Sequence, residues 1–352
     1  MTRRDDQQTP AAHSSRAVTI IDVAHAAGVS RQTVTRALNG MADVSAATRE
    51  RVIEAAHRLN YRPNRAAQGL VRGREIAIGF VVSDLRNPYY PELASELTRL
   101  ASEHGWGVML CDLGSDRTDA RKRLETIVHR VDAIVGHVAN PEFSDLLASL
   151  PTVIFDAPAD ASGPLGRAVI EIDYRPGIRA ALDHLVAIGR KRIAMIDGSG
   201  SDTRASDAPV RVSGRRQLYR EHLREYDLAW SEASEVSGID THDGGIEAAM
   251  RLRAQYPHAD AALVFNDVMA LGALKGFARV GARVPQDVAV IGIDGLNIGT
   301  LVTPELTSIA LDKTELARHA IDLVDGMLSG RIAAGQAARR TITHTLIVRE
   351  SA

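Results

Sequence analysis

Val18-Thr19-Ile20-Ile21-Asp22-Val23-Ala24-His25-Ala26-Ala27-Gly28-Val29-Ser30-Arg31-Gln32-Thr33-Val34-Thr35-Arg36-Ala37-Leu38 is the stretch that decides the reading of this chain. Thr19 and Asp22 fit a capping box, the hydroxyl capping and the carboxylate reaching back. Ile21, Ala24 and Ala27 then recur at helical spacing. Gly28 tolerates the positive φ with which a chain leaves a helix. Val29 can plug the turn, and Ser30 caps a second helix from Arg31 to about Leu38 with Val34, Ala37 and Leu38 as its inner face. Asn39-Gly40 ends it. A third helix from Ser45 carries the stripe Val52, Ile53, Ala56 and Leu59. The pattern is helix, short glycine turn, helix, with a third helix closing a small core.

The chemistry lies at the start of the second helix. Arg31 and Gln32 project away from the Val34/Leu38 face, and in a helix-turn-helix those positions enter the major groove. Arginine grips guanine O6/N7 and glutamine pairs with adenine N6/N7. Ser30, Thr33, Thr35 and Arg36 suit phosphates or flanking bases. The competing reading is a solvated helix face.

Val18 to Ala24, Ala27 to Ser30, Thr33-Val34, Arg36 to Asn39 and Val44-Ser45 resemble the headpiece of the lactose/galactose repressor (LacI/GalR) family. The match continues through Arg49, Val52, Ala55-Ala56, Leu59-Asn60-Tyr61 and Pro63-Asn64. The resemblance implies DNA contacts from Thr19, Ser30, Arg31, Gln32, Thr33, Thr35, Arg36 and Asn39. It also implies a hinge helix, Arg65 to Val71 capped by Asn64, that forms on the operator and enters the minor groove. Leu70 would wedge open the central base step there, and Ala67 would let paired hinge helices approach. Gly69 and the short length make such a helix dependent on DNA and dimerisation. A flexible linker is the alternative.

Beyond residue 75, β-rich apolar runs alternate with helical patterns. The strands expected are 76–82, 108–111, 133–135, 152–155, 168–172, 193–196, 261–265 and 288–293. The helices are 91–104, 117–130, 175–188, 210–225, 243–254 and 267–280, and 341–348 is a further β-like run. Such alternation predicts parallel sheets covered on both faces, with ligands at strand C-terminal ends. The fold class expected is an all-α helix-turn-helix headpiece followed by an α/β core. Its two doubly wound parallel-sheet lobes resemble the periplasmic-binding-protein type shared by the LacI/GalR core. Asn87 to Tyr90, Asn266-Asp267, Met269 to Gly272, Val284-Pro285, Gly292 to Asp294 and Leu306 to Ile309 carry that likeness.

The division expected is a disordered arm 1–17, a headpiece 18–62, a hinge 63–74 and a core 75–352. Lobe 1 would hold about 75–168 and 298–325, and lobe 2 about 173–294 and 328–352. The chain would cross between them near 168–173, 294–298 and 324–328. The resemblance places an effector between the lobes. Tyr89 and Tyr90 would offer ring faces, and Asp156, Arg211, Asn266 and Asp294 polar groups. Ordinary packing is the alternative for the tyrosines, and Asp267 reads as a helix cap. Asp240-Thr241-His242 stands where sugar-binding members can present a stacking aromatic. Lys313 stands where some offer an apolar wall, so Arg211 and Lys313 together would favour an anionic effector.

The bulk numbers agree. The 352 residues are 45% hydrophobic and 24% charged, which is globular composition. Residues 1–72 hold eleven arginines, no lysine and six acidic residues, a net +5, against −7 for the remainder. A basic head on an acidic body suits a head that meets phosphate. No apolar run approaches the roughly 20 residues of a membrane span. The polar N-terminus reads as no secretory signal, and the single cysteine, Cys111, permits no internal disulfide, so a cytoplasmic protein is expected.

Gly198-Ser199-Gly200 lacks the third glycine of a dinucleotide fingerprint. Neither a Walker A sequence nor a nucleophile elbow is present, and the twelve histidines show no metal-ligand spacing. The expectation is therefore no enzyme, no cofactor and no metal. It is a sequence-specific regulator, in the first place a repressor, whose partners are double-stranded operator DNA, a sugar-like effector and a second copy of itself. No leucine heptad follows 341–348, so a homodimer is expected, with no membrane partner. A nucleoside- or purine-responsive corepressed regulator is the alternative. A cytosolic sugar-binding protein or hydrolase on the same core is the non-regulator alternative.

Overall fold

A computed structural model describes residues 20–38, 41, 44–59, 76–114, 119–148, 150–156, 167–198, 213–332 and 338–352. The chain divides into two units, 1–75 and 76–352. The arm 1–17, the hinge 63–74, and Thr19, Asn39, Asn64, Ala67, Leu70 and Arg211 lie outside the described residues.

In the first unit, α1 (Ile20–Ala27), α2 (Arg31–Leu38) and α3 (Ala46–Arg58) enclose Val23, Ala24, Val34, Ala37, Val52, Ala55 and Ala56. Gly28 takes φ +66, and Val29 behind it packs on this core. Two expectations change. Ile21 and Ile53 are 53% and 41% exposed, and Val23 and Ala55 take the inward places. The seven buried residues of this core among those described are all valine or alanine, the small side chains that close helix approaches admit. Ser45 Oγ accepts from Thr48 N–H at 3.3 Å and starts α3. Arg49 donates to Met41 O at 2.8 Å and ties α3 to the segment after α2.

The second unit is a doubly wound α/β body. Lobe 1 pairs β2 (Gly107–Asp112), β1 (Ala77–Val82), β3 (Ala133–Gly136), β4 (Thr152–Phe155) and β5 (Arg167–Asp173) in that spatial order, all parallel. Lobe 2 pairs β7 (Glu235–Gly238), β6 (Ile193–Gly198), β8 (Ala261–Val264), β9 (Ala289–Asp294) and β10 (Thr307–Leu311), also parallel. The long β11 (Ala338–Ile347) joins them. Residues 338–343 run parallel to β5, and 344–347 run antiparallel to β10.

Alternate residues of buried strands face opposite helix layers, as period-two geometry requires. In lobe 1, Ile78, Phe80 and Val82 meet α4 (Tyr89–Glu103) and α10 (Lys313–Leu328), whereas Val81 and Ile134 meet α5 (Ala120–Val128). In lobe 2, Met195, Leu263 and Ile291 meet α6 (Arg175–Ala187) and α7 (Gly214–Glu225). On the other face Ile196, Val264 and Val290 meet α8 (His242–Gln255) and α9 (Asp267–Arg279).

The lobe boundaries differ from those expected. The segment 168–173 is strand β5 of lobe 1, so the first passage follows it, at 173–174. The others fall at 311–313, between β10 and α10, and at 343–344 inside β11, not near 294–298 and 324–328. The reason is pairing: β10 is held by β9, so the segment 298–311 belongs with lobe 2, and α10 packs on lobe 1.

Candidate nucleic-acid interface and effector cleft

In the headpiece, Arg31 and Gln32 are the first residues of α2, and both are exposed. Val34 and Ala37 hold the helix from its opposite side. The Ser30 hydroxyl accepts from Thr33 N–H at 3.1 Å and lies 2.9 Å from Thr33 Oγ1. Thr35 Oγ1 donates to Arg31 O at 3.1 Å. Ser30 and Thr35 are thus partly committed to shaping α2, and Arg31, Gln32 and Arg36 are its exposed long polar side chains. Ser30→Ala should cost the headpiece about 1 kcal/mol, the usual value of an N-cap. A melt of the isolated 1–75 fragment beside the wild-type fragment checks this; an unchanged midpoint would remove the cap from the account.

In the core, the candidate cleft forms where strand C-terminal ends of both lobes converge. From lobe 1, Tyr89 and Tyr90 open α4, with Tyr89 N–H held by Asn87 Oδ1 at 3.0 Å. Their rings meet edge-on at 5.2 Å, and His137, just past β3, packs against both and against Phe155. The Tyr89 hydroxyl and His137 Nδ1 are buried and have no hydrogen-bond partner among the described residues. Burial holds the Tyr89 phenol well above its usual range, and neighbouring Tyr174 and Asp294 add to this. Asp156, at φ +50 after β4, accepts from the Tyr174 hydroxyl at 3.1 Å.

From lobe 2 comes Arg215, the second residue of α7. Its guanidinium lies 4.6 Å from the Tyr174 ring centre and 4.2 Å from that of Phe265. It donates to the Tyr174 hydroxyl at 2.9 Å and to the Phe265 carbonyl. Tyr174 in turn stacks on His344 at 4.6 Å. Burial pushes the His344 imidazole down to about 4, so it is neutral at physiological pH. Tyr174 and His344 sit at two of the three passages between lobes, so this column of rings runs along the hinge.

Asp294 ends β9 at φ +122 and is 7% exposed. Burial pushes its carboxyl up to about 7; Arg215 opposes the shift and Asp267 adds to it. Asn266 caps α9, its Oδ1 accepting from Met269 N–H at 2.8 Å. The cap is thus Asn266 and not Asp267. Asp267 accepts from Ser308 Oγ at 2.6 Å and from Leu296 N–H at 2.7 Å. Lys313 is also differently employed. It pairs with Glu92 at 3.1 Å and donates to the Asp294 carbonyl at 2.9 Å, which removes the argument it gave for an anionic effector.

Tyr89, Tyr90, Asp156 and Asp294 are therefore brought close together around Tyr174 and Arg215, and Asn266 is employed as a helix cap. Reading the sequence missed Tyr174, Arg215, His137 and His344. His137 follows a strand directly, the signal that picked out Asp156, and could have been found the same way. Arg215 was hidden beside Arg211, and the partners of Tyr174 and His344 lie far away in sequence.

A basic three-helix reader followed by a two-lobed α/β body with a polar cleft is the build of a ligand-responsive DNA-binding regulator. Residues 19–64 match the bacterial regulatory proteins of the lacI family, and residues 182–352 match the periplasmic binding protein-like domain. The ribose operon repressor of Escherichia coli (strain K12) is 32% identical over 313 residues, 87% of this chain and 92% of that protein. The HTH-type transcriptional repressor PurR of Haemophilus influenzae (strain PittEE) is 30% identical over 342 residues, 95% of this chain and 98% of that protein. The solved Lac repressor dimer, bound to operator and the anti-inducer ONPF, has a TM-score of 0.75 at 26% identity. That likeness covers 96% of this chain and 99% of that one. The chain belongs to the LacI family; it is a DNA-binding transcriptional regulator with a small-molecule effector, and not an enzyme. No described helix is long and apolar enough to cross a membrane.

Proposed function

We propose that this regulator represses from the cytoplasm, binds a near-palindromic operator as a homodimer, and is controlled by a neutral, sugar-like effector in the interlobe cleft. The observation that carries the effector reading is the convergence of unpaired buried groups. The Tyr89 hydroxyl and His137 Nδ1 are buried with no partner among the described residues, and the Asp294 carboxyl is buried deeply enough for its acid form to be favoured. Tyr89 and Asp294 lie beside the Arg215–Tyr174–Asp156 chain. Leaving such groups unmatched is costly, and a polyhydroxylated ligand supplies both donors and acceptors. The ribose operon repressor supports a sugar by likeness. The Tyr89–Tyr90–His137–Phe155 ring cluster and the PurR relative support the second reading, a purine or nucleoside acting as corepressor.

On the DNA side, Arg31 and Gln32 read bases, and Ser30, Thr33, Thr35 and Arg36 set register on the backbone. Thr19, Asn39 and the hinge residues Asn64, Ala67 and Leu70 complete this contact set by family likeness. In the cleft, Arg211 remains a proposed contact on the same ground, and Asn266 offers its amide nitrogen.

Selection of genomic fragments by the purified protein, then gel shifts of the recovered site against sugars and nucleosides, tests both halves. Asp294→Asn and Arg215→Met should each weaken the response to the active compound by roughly tenfold or more. Operator affinity without it should stay within about twofold. A normal response in either variant removes that residue from the pocket.

A further inference from the structure

We propose that Lys313 and Glu92 form an interlobe clasp that positions Asp294, so that one ion pair sets both the placing of its carboxylate and the seating of lobe 2 on lobe 1. The inference rests on reading Asp294 as a ligand-facing group, but its test needs no ligand. Lys313 is the first residue of α10, and Glu92 lies in the first turn of α4; both helices belong to lobe 1. Asp294 and Gly295 end β9 in lobe 2. An ammonium has three donors, and each has an acceptor: Glu92 Oε2 at 3.1 Å, Asp294 O at 2.9 Å and Gly295 O at 3.3 Å. The other Glu92 oxygen accepts from Asn297 N–H at 2.9 Å. The two side chains are only 10% and 22% exposed, so solvent screens the pair weakly.

An apolar pin lies inside the same loop. Leu296 is fully buried in the lobe 1 core cluster with Leu93 and Leu316, while its N–H donates to Asp267 of lobe 2. Residues 294–297 are thus fastened to lobe 1 by Leu296, Glu92 and Lys313, and to lobe 2 by Asp267. Asp294 requires such fastening, because its φ of +122 is a backbone conformation that persists only where the surroundings over-determine it.

The charges around the Asp294 carboxyl make the clasp measurable. Arg215 and Lys313 favour its ionised form; Asp267 and Glu92 oppose it. The phenols of Tyr89, Tyr90 and Tyr174 also face it. The two members of the clasp therefore act on Asp294 with opposite sign.

The test uses the full-length protein carrying 13C at aspartate Cγ, the Asp294 signal being assigned by its loss in Asp294→Asn. It reads the titration midpoint of Asp294 and the hydrogen-exchange rate of the Asn297 amide. Lys313→Met should move the midpoint upward by roughly half a pH unit or more and speed Asn297 exchange by about tenfold or more. Glu92→Gln should move the midpoint downward and also speed that exchange, whereas Lys313→Arg should keep the midpoint near the wild-type value. Loosened packing alone moves the midpoint the same way in both variants. Unchanged midpoints, or shifts of one sign, overturn the clasp. Should Lys313→Met fail to fold, the downward shift in Glu92→Gln and the retained midpoint in Lys313→Arg decide, and absence of either result overturns it. Opposite shifts, together with no compound binding at the cleft, would leave the clasp standing and remove only the effector reading.

Discussion

Arg31→Ala is expected to weaken binding to the selected operator by about 1–3 kcal/mol, roughly five- to 150-fold, with the whole loss at one base pair of each half-site. The side chain is exposed at the start of α2, and the headpiece core of Val23, Val34, Ala37 and Val52 does not include it. Its removal therefore leaves the fold alone, which an unchanged melt of the headpiece would document. The loss is large because a bidentate contact leaves guanine O6 and N7 without a matching donor in a closed interface. Binding to random DNA should fall far less, with the salt dependence reduced by about one phosphate contact at most. Gel shifts against the site and its single-base variants separate the outcomes. A loss spread evenly over all sequences would make Arg31 a backbone contact and pass the reading role to Gln32.

Gly272→Val is expected to destabilise the core by ~3 kcal/mol or more, the largest effect of any single change considered. α8 and α9 pack almost backbone to backbone. A Cβ at Gly272 would run into the His242 carbonyl oxygen and press on Ile246 N, and one at Gly245 would run into the Met269 carbonyl oxygen. These obstacles are main chain, so no side chain can rotate out of the way; the helices must separate. Separation uncovers Ala248, Ala249, Leu252, Ala270, Ala273 and Phe277, all now fully or almost fully buried. Gly214→Ala, at the start of α7, is the control. Among the described residues, apart from its chain neighbours and its own helix backbone, no atom lies within 4 Å of its added methyl, and its φ is not in the left-handed region, so stability should hold or rise slightly. Denaturant midpoints of the three proteins check the pair. A wild-type midpoint for Gly272→Val would mean that the two helices are not held at this distance.

Several elements escaped the sequence for identifiable reasons. The edge strand β7, Glu235–Gly238, contains a glutamate, a serine and a glycine and has no apolar run to announce it. The short β10, Thr307–Leu311, is mixed in composition, and all five of its residues are buried, so it shows no alternation. Without β10 the passage from lobe 2 to lobe 1 was placed too early, and α10 went unassigned. Helical spacing puts Ile21 and Ile53 on the apolar stripes, but Val23 and Ala55 hold the inward positions.

The cleft divides along the same line. Tyr89, Tyr90, Asp156 and Asp294 follow strands or open a helix, and a strand end in a doubly wound sheet is a position that sequence reveals. Lys313 looked like a free cation because its acceptors are two carbonyls eighteen and nineteen residues away and a carboxylate on another helix. Arg215 looked like one more charge on a polar helix, yet Phe265 and Tyr174 clasp it from segments about forty to fifty residues distant in sequence.

By itself the sequence determined the helix-turn-helix, the α/β alternation, the family and the strand ends at which a ligand would sit. The family rests on the resemblance of many headpiece residues in register; the others are written in local patterns: capping residues, a glycine turn, and periods of 3.6 and 2. Only the tertiary structure decided which residues cross between lobes, which charges are already paired and which buried polar groups remain without partners. Those are properties of pairing and packing between distant segments. One strand, β11, shows why: six of its residues pair with lobe 1 and the next four with lobe 2, and nothing local marks the change.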